Sequence, residues 1–248
     1  MCTVSFIPNT KGFYLGMNRD ESRLRSIALQ PEAHATTYGV SIYPSEPSGG
    51  TWIGINDSGL CLALINWHKV PTRPVHEVVS RGIVVKELIQ SLASGDLSSL
   101  IRDLPIEAMP PFRLIAISLR ESLIREFRWD QNRLTTVGHR WVASHWFSSG
   151  LDEHQAEVTR AAVCRQKWNE SDAGELAWLR RLHASHLPDC GGFSICMHRE
   201  DSCTVSYTEV VFQGGWGTMR YHPGSLCNGD GCQIFEKTLS LTRKNHAL

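Results

Sequence analysis

The chain has 248 residues, with 25 basic and 25 acidic side chains and 42% hydrophobic residues. Zero formal charge with the two signs interspersed argues against a nucleic-acid or anionic-membrane partner, and no apolar stretch approaches the ~20 residues of a membrane-spanning helix. The N-terminus carries neither a charged leader nor a long apolar segment, so a cytoplasmic protein without a signal peptide is expected.

Taken in order, residues 3–7 read as a short β-run. Pro8 to Gly12 is a turn signal, since Pro fixes φ and Asn9 and Gly12 tolerate positive φ. Residues 13–17 resume the apolar run, which makes an antiparallel hairpin. Residues 21–30 read as a polar loop and 38–43 as a strand. After the Pro-, Ser- and Gly-rich stretch 44–50, strands at 52–55 and 60–66 flank the turn Asn56-Asp57-Ser58-Gly59. Val78, Val79, Val84, Val85, Leu88, Ile89 and Leu92 fall at helical spacing, which predicts an amphipathic helix over 75–93 that ends at Gly95. Asp96 caps a second helix carrying Leu97, Leu100, Ile101 and Leu104. Residues 112–118, 123–129 and 133–137 read as a three-strand meander. Residues 153–168 and 175–186 read as helices, and 194–198, 203–212 and 218–222 as strands. With no repeat, linker or low-complexity segment, a single domain over 1–248 is expected. Clustered strands with two separate helix pairs suit an α+β fold.

The chemistry begins at Cys2. The first hairpin returns Asn18-Arg19-Asp20-Glu21 to the neighbourhood of Cys2. Removal of Met1 leaves Cys2 with a free α-amine beside its own thiol. An α-amine of pKa about 7.7–8.0 is a base near neutrality, and nucleophile and base then belong to one residue. In this reading Arg19 lowers the thiol pKa, Asp20 orients the α-ammonium, and Asn18 stands at the substrate. Asn66 ends the apolar strand Leu62-Ala63-Leu64-Ile65. A buried amide needs a partner, and an oxyanion formed in acyl transfer is one such partner. Trp52 and Trp67 are candidates for an apolar acyl pocket, with a place in the core as the alternative.

Eight cysteines include no C-x-x-C pair. Free, mostly buried thiols are expected, and no metal or cofactor is assigned. A zinc site from Cys227, Cys232 and His222 is the minor alternative, with loose spacing.

Three blocks carry a resemblance. Cys2-Thr3 with Asn18-Arg19-Asp20-Glu21, then Gly49-Gly50-Thr51-Trp52-Ile53-Gly54-Ile55-Asn56 running on to Asn66-Trp67, and more weakly Ser80-Arg81-Gly82 with Phe112 to Ala116, resemble the NRDE family. That family is also called the transport and Golgi organisation protein 2 family, and it resembles N-terminal-nucleophile hydrolases of the penicillin V acylase and bile salt hydrolase group. The resemblance implies a four-layer αββα sandwich of two antiparallel sheets and, by way of the hydrolases, cleavage of a linear amide. It also implies an oxyanion role for Asn66. Two departures accompany it. Ser149 stands where an asparagine that binds the substrate carbonyl is expected, and the stretch Gly191 to Ile195 offers no counterpart to a distal arginine. The alternative reading is therefore a non-catalytic carrier or trafficking protein of the same fold that binds an apolar ligand such as haem or a lipid.

Overall fold

The structure is a computed structural model that describes residues 2–91, 97–229 and 233–242. Strands β1 (Cys2–Asn9) and β2 (Gly12–Ser22) form the first hairpin. They are followed by β3 (Leu29–Thr36), β4 (Gly39–Ser45), β5 (Ile53–Asn56) and β6 (Leu60–Asn66). Helices α1 (Gly82–Gln90) and α2 (Leu97–Arg102) precede β7 (Phe112–Ser118), β8 (Leu123–Trp129), β9 (Leu134–His139) and β10 (Ser144–Ser148). Helices α3 (Glu153–Lys167) and α4 (Leu176–His183) then lead to β11 (Ser202–Gln213), β12 (Trp216–Pro223) and β13 (Phe235–Ser240).

The strands form two antiparallel sheets. The first has the order β10-β1-β2-β11-β12-β13 and the second β3-β4-β5-β6-β7-β8-β9. Period-2 alternation gives each sheet two faces. Val4, Phe6, Phe13, Leu15 and Met17 of the first sheet meet Ile53, Ile55, Ala63, Ile65 and Ile115 of the second in one core. The outer face of the second sheet, through Leu62, Leu64 and Leu114, packs on Val84, Val85, Leu88 and Ile89 of α1. On the outer face of the first sheet, Ile7 and Phe147 pack on Val163 and Cys164 of α3 and on Trp178, Leu179 and Leu182 of α4. The result is the expected four-layer αββα sandwich. No helix among the described residues is long and apolar enough to cross a membrane.

Several local expectations change. The stretch 21–30 is not a loop throughout: β2 runs on to Ser22 and β3 begins at Leu29. Helix α1 starts at Gly82 rather than at 75, because the Val79 N–H donates to the Ala108 carbonyl, a partner outside any helix. The predicted C-terminal end of that helix at Ala93 and Gly95, and the Asp96 cap, lie outside the described residues. Residues 194–198 make only an isolated bridge, His198 to Cys203. Gly12 serves close approach rather than a positive-φ turn, since a Cβ there would overlap the Phe212 carbonyl oxygen of β11.

Candidate active site

The start of β1, the end of β2, the end of β6 and the start of α1 meet at one end of the inter-sheet core. Cys2 is the direct partner of Arg19 across the β1–β2 pair and of Ser148 across β1–β10. Between these element ends lies a small cleft of about 90 Å³. Cys2, Arg19, Trp52, Asn66 and Arg81 line it, together with Asp20, Glu21 and Glu46 among others. Strand alternation divides the Asn18-Arg19-Asp20-Glu21 block into two jobs.

Arg19 sits on the Cys2 side. Its Nη2 donates to Glu46 at 2.6 Å and lies 3.5 Å from Glu21. The Arg19 guanidinium carbon stands 4.6 Å from the centroid of the Trp52 ring, a cation–π contact. Arg25 donates to the other oxygen of Glu46 at 2.6 Å. Burial works against charge on Glu46, but Arg19 and Arg25 outweigh it and hold its carboxyl below the usual range.

Asn18 and Asp20 point to the helix side. The Asn18 amide donates to the carbonyls of His183 and Ile195, each at 2.9 Å, and its oxygen lies 3.0 Å from His183 Nδ1. Asn18 is thus a buried staple between β2 and the chain around α4, and it is not among the residues lining the cleft. The Asp20 carboxylate accepts from the Thr204 hydroxyl at 2.7 Å and from Arg160 Nη2 at 3.5 Å.

Arg160 of α3 is the residue that sequence reasoning missed. It is fully buried. Its Nη1 donates to the Thr3 hydroxyl at 3.0 Å and, at longer range, to the carbonyls of Cys2 and Ser148. It therefore grips the backbone that carries Cys2 and the carboxylate of Asp20 at once. The signal was present: Ala156, Arg160, Val163 and Cys164 fall on one buried helical stripe, and a cation on such a stripe needs a partner. Arg81 belongs to the weakest of the three sequence blocks. It lines the cleft, and its Nη1 donates to the Pro111 carbonyl at 3.0 Å.

Cys2 is only 7% exposed. Burial pushes its pKa up, the Asp20 charge adds to that, and Arg19 acts in the lowering direction without reversing it. An unaided thiolate is therefore disfavoured at neutral pH, and deprotonation of Cys2 calls for a base. Among the described residues no hydrogen bond holds the Asn66 side chain, so its amide is available to a ligand in the cleft. Trp52 is buried with an unpaired indole N–H. Trp67 and Ser149 are not among the lining residues. The Trp67 N–H donates to the Pro111 carbonyl, and Ser149 is buried with its hydroxyl oxygen accepting from the Leu151 N–H at 3.3 Å. Gly49 has φ +90° in a turn, whereas Gly50 lies against the backbone of Gly82, so its close approach serves the start of α1.

A family model described as Transport and Golgi organisation 2 matches residues 1–177. The chain belongs to that family. No curated protein matches it. Among solved structures it is similar to a C2A mutant of conjugated bile acid hydrolase from Clostridium perfringens, with TM-score 0.53, 10% identity and 100% of each chain covered. It is also similar to penicillin V acylase from Agrobacterium tumefaciens, with TM-score 0.51, 10% identity, 90% of this chain and 83% of that chain covered. These likenesses concern the fold alone: over most or all of the chain it is the sandwich seen in those two hydrolases. All of the cleft residues named above fall within the family-matched region.

Proposed function

We propose that this Transport and Golgi organisation 2 family member is an N-terminal cysteine amidohydrolase that acts on a small linear amide. The observation that carries the reading is Cys2 at a cleft, in register with Arg19, on backbone held by the buried Arg160–Asp20 pair. Once Met1 is removed, the Cys2 α-amine takes the thiol proton, which answers the burial that disfavours a free thiolate. The sulfur attacks the carbonyl carbon and forms a C–S bond. Asn66 donates to the resulting oxyanion. Collapse breaks the C–N bond, and the α-ammonium gives its proton to the departing amine. Water then attacks the thioester, with the α-amine taking the water proton and returning it to the sulfur. A cleft of about 90 Å³ suits a short acyl group, and the guanidinium groups of Arg19 and Arg81 suit a polar one.

The test is turnover of a panel of short N-acyl amides by protein whose intact mass confirms loss of Met1. Cys2→Ala should lower turnover by about three orders of magnitude or more. Undiminished turnover in Cys2→Ala would refute the proposal.

A second reading, an apolar-ligand carrier, has its own observation. A cavity of about 600 Å³ lined by Val142, Phe147, Ala161 and Trp168 lies on the helix side, within the range of roughly 300–1,000 Å³ that holds a drug-sized ligand. Saturable binding of haem or a lipid, unchanged in Cys2→Ala and lost in Ala161→Trp, would favour the carrier.

A further inference from the structure

Four potential metal ligands converge from segments distant in sequence. His186, Cys196, His198 and Cys227 each place a ligand atom so that all four lie within 4.8 Å of one another. Cys196 Sγ lies 3.4 Å from Cys227 Sγ and 3.5 Å from His198 Nε2, and His198 Nε2 lies 3.2 Å from Cys227 Sγ. A tetrahedral zinc bonded at about 2.3 Å to sulfur and about 2.0–2.1 Å to nitrogen sets its ligand atoms roughly 3.3–3.8 Å apart. These three spacings match tetrahedral edges to within a few tenths of an ångström, and His186 completes the set within 4.8 Å.

The geometry points to a structural zinc site of two thiolates and two imidazoles, formed by Cys196, Cys227, His186 and His198. Thiolate and imidazole ligands without a carboxylate select zinc over magnesium or calcium. Four protein ligands leave no open position, as in structural rather than catalytic sites. Cys196 is fully buried and the other three ligands are partly buried. His186 Nε2 is buried without a hydrogen-bond partner, a cost that metal ligation in this cluster offsets. Two thiolates cancel the charge of the dication, so a loaded site is neutral beside the buried Asp20–Arg160 pair.

The site also has work to do. Residues 184–201 run without helix or strand apart from the His198–Cys203 bridge. This irregular stretch nevertheless supports the cleft from behind. The Ile195 carbonyl takes the Asn18 amide, and the Met197 N–H donates to Thr204 Oγ1, which donates to Asp20. Zinc would pin this stretch to the turn that carries Cys227. The minor alternative of Cys227, Cys232 and His222 changes: Cys227 joins other partners, Cys232 lies outside the described residues, and the His222 ring sits tilted against Tyr207 at 5.6 Å. The sequence pattern does not display this set: Cys227 and Cys232 are loosely spaced with no matching second pair, and the four ligands themselves contain no C-x₂₋₄-C pair. All four ligands lie beyond residues 1–177, the family-matched stretch.

The test is elemental analysis of the full chain expressed with zinc and freed of loosely held metal, which should give about one zinc per chain. Cys196→Ser/Cys227→Ser should fall below about a tenth of that. Because the variant can misfold, the wild-type protein provides the second measurement. A strong chelator should strip the metal and lower Tm, and zinc should restore it. Cobalt reconstitution should give thiolate charge-transfer bands and intense tetrahedral d–d bands. Less than about a tenth of an equivalent of zinc in the wild type, full zinc retention in the double variant, or a Cys196–Cys227 disulfide in the non-reduced intact mass would each overturn the proposal. None of these readouts depends on hydrolase activity.

Discussion

Arg160 shows how one side chain sets the terms for its neighbours. A guanidinium with no solvent exposure needs partners on several sides, and it has Asp20, the Thr3 hydroxyl and two carbonyls of the strands that frame Cys2. Removing one member of a buried ion pair leaves the other charge unpaired, at a cost of about 3–5 kcal/mol. Arg160→Met, which keeps much of the volume, should therefore lose about that much stability in urea unfolding. A loss below about 1 kcal/mol would mean that Asp20 is adequately held by Thr204. The same residue explains part of what the sequence reading could not see. Cys2, Arg19 and Asn66 stand out because a nucleophile needs a base and an anion needs donors, Trp52 stands out as a candidate for an apolar pocket, and the cleft gathers all four. Arg160 comes from a helix more than 150 residues away, and only its place on a buried stripe distinguishes it from Arg165 in the same helix.

At the scale of elements, the legible parts were those with a strong local period or a strong turn. The β1–β2 hairpin, the β5–β6 hairpin and the β7–β8 pair all appear near their expected bounds. Strand β3 was illegible because it is an exposed sheet edge reading Leu-Gln-Pro-Glu-Ala-His-Ala-Thr, with one buried side chain in eight. Proline is tolerated there because an edge strand has unpaired ladder positions. The stretch at 75–81 failed for the opposite reason: its valines have helical spacing, but Val79 gives its N–H to another segment. The centre of the first sheet also carries a constraint that no local pattern displays. Gly12 stands where β2 pairs with Gln213 at the end of β11, so close that any Cβ meets backbone rather than a flexible side chain. Gly12→Ala should therefore cost about 1–3 kcal/mol by forcing the strands apart, seen as a lowered Tm. An unchanged Tm would show that the hairpin end relaxes freely.

Across the whole molecule, the two sheets are held by more than their shared apolar core. Glu126, at the middle of β8 and without solvent exposure, takes Arg113 Nε at 2.5 Å, Arg128 at 2.9 and 3.0 Å and His139 at 2.8 Å. Arg113 also donates to the Phe147 carbonyl of β10 at 3.2 Å, so the cluster ties the second sheet to the edge of the first. Burial alone would raise the Glu126 pKa, but the hydrogen bonds and charges of Arg128 and Arg113 prevail and bring it down to about 2. A carboxyl whose pKa is depressed by folding stabilises the folded state fully above its unfolded pKa of about 4.3, and that contribution disappears as pH falls through the folded value. The drop from about 4.3 to about 2 corresponds to about 3 kcal/mol at 1.36 kcal/mol per unit. Glu126→Gln should be less stable than wild type near neutrality, because it leaves Arg113 and Arg128 without their anion. The stability gap between the two proteins should then narrow by about 3 kcal/mol between roughly pH 6 and pH 2, measured by denaturant unfolding at each pH. Parallel pH curves for the two proteins would mean that folding does not depress the Glu126 pKa.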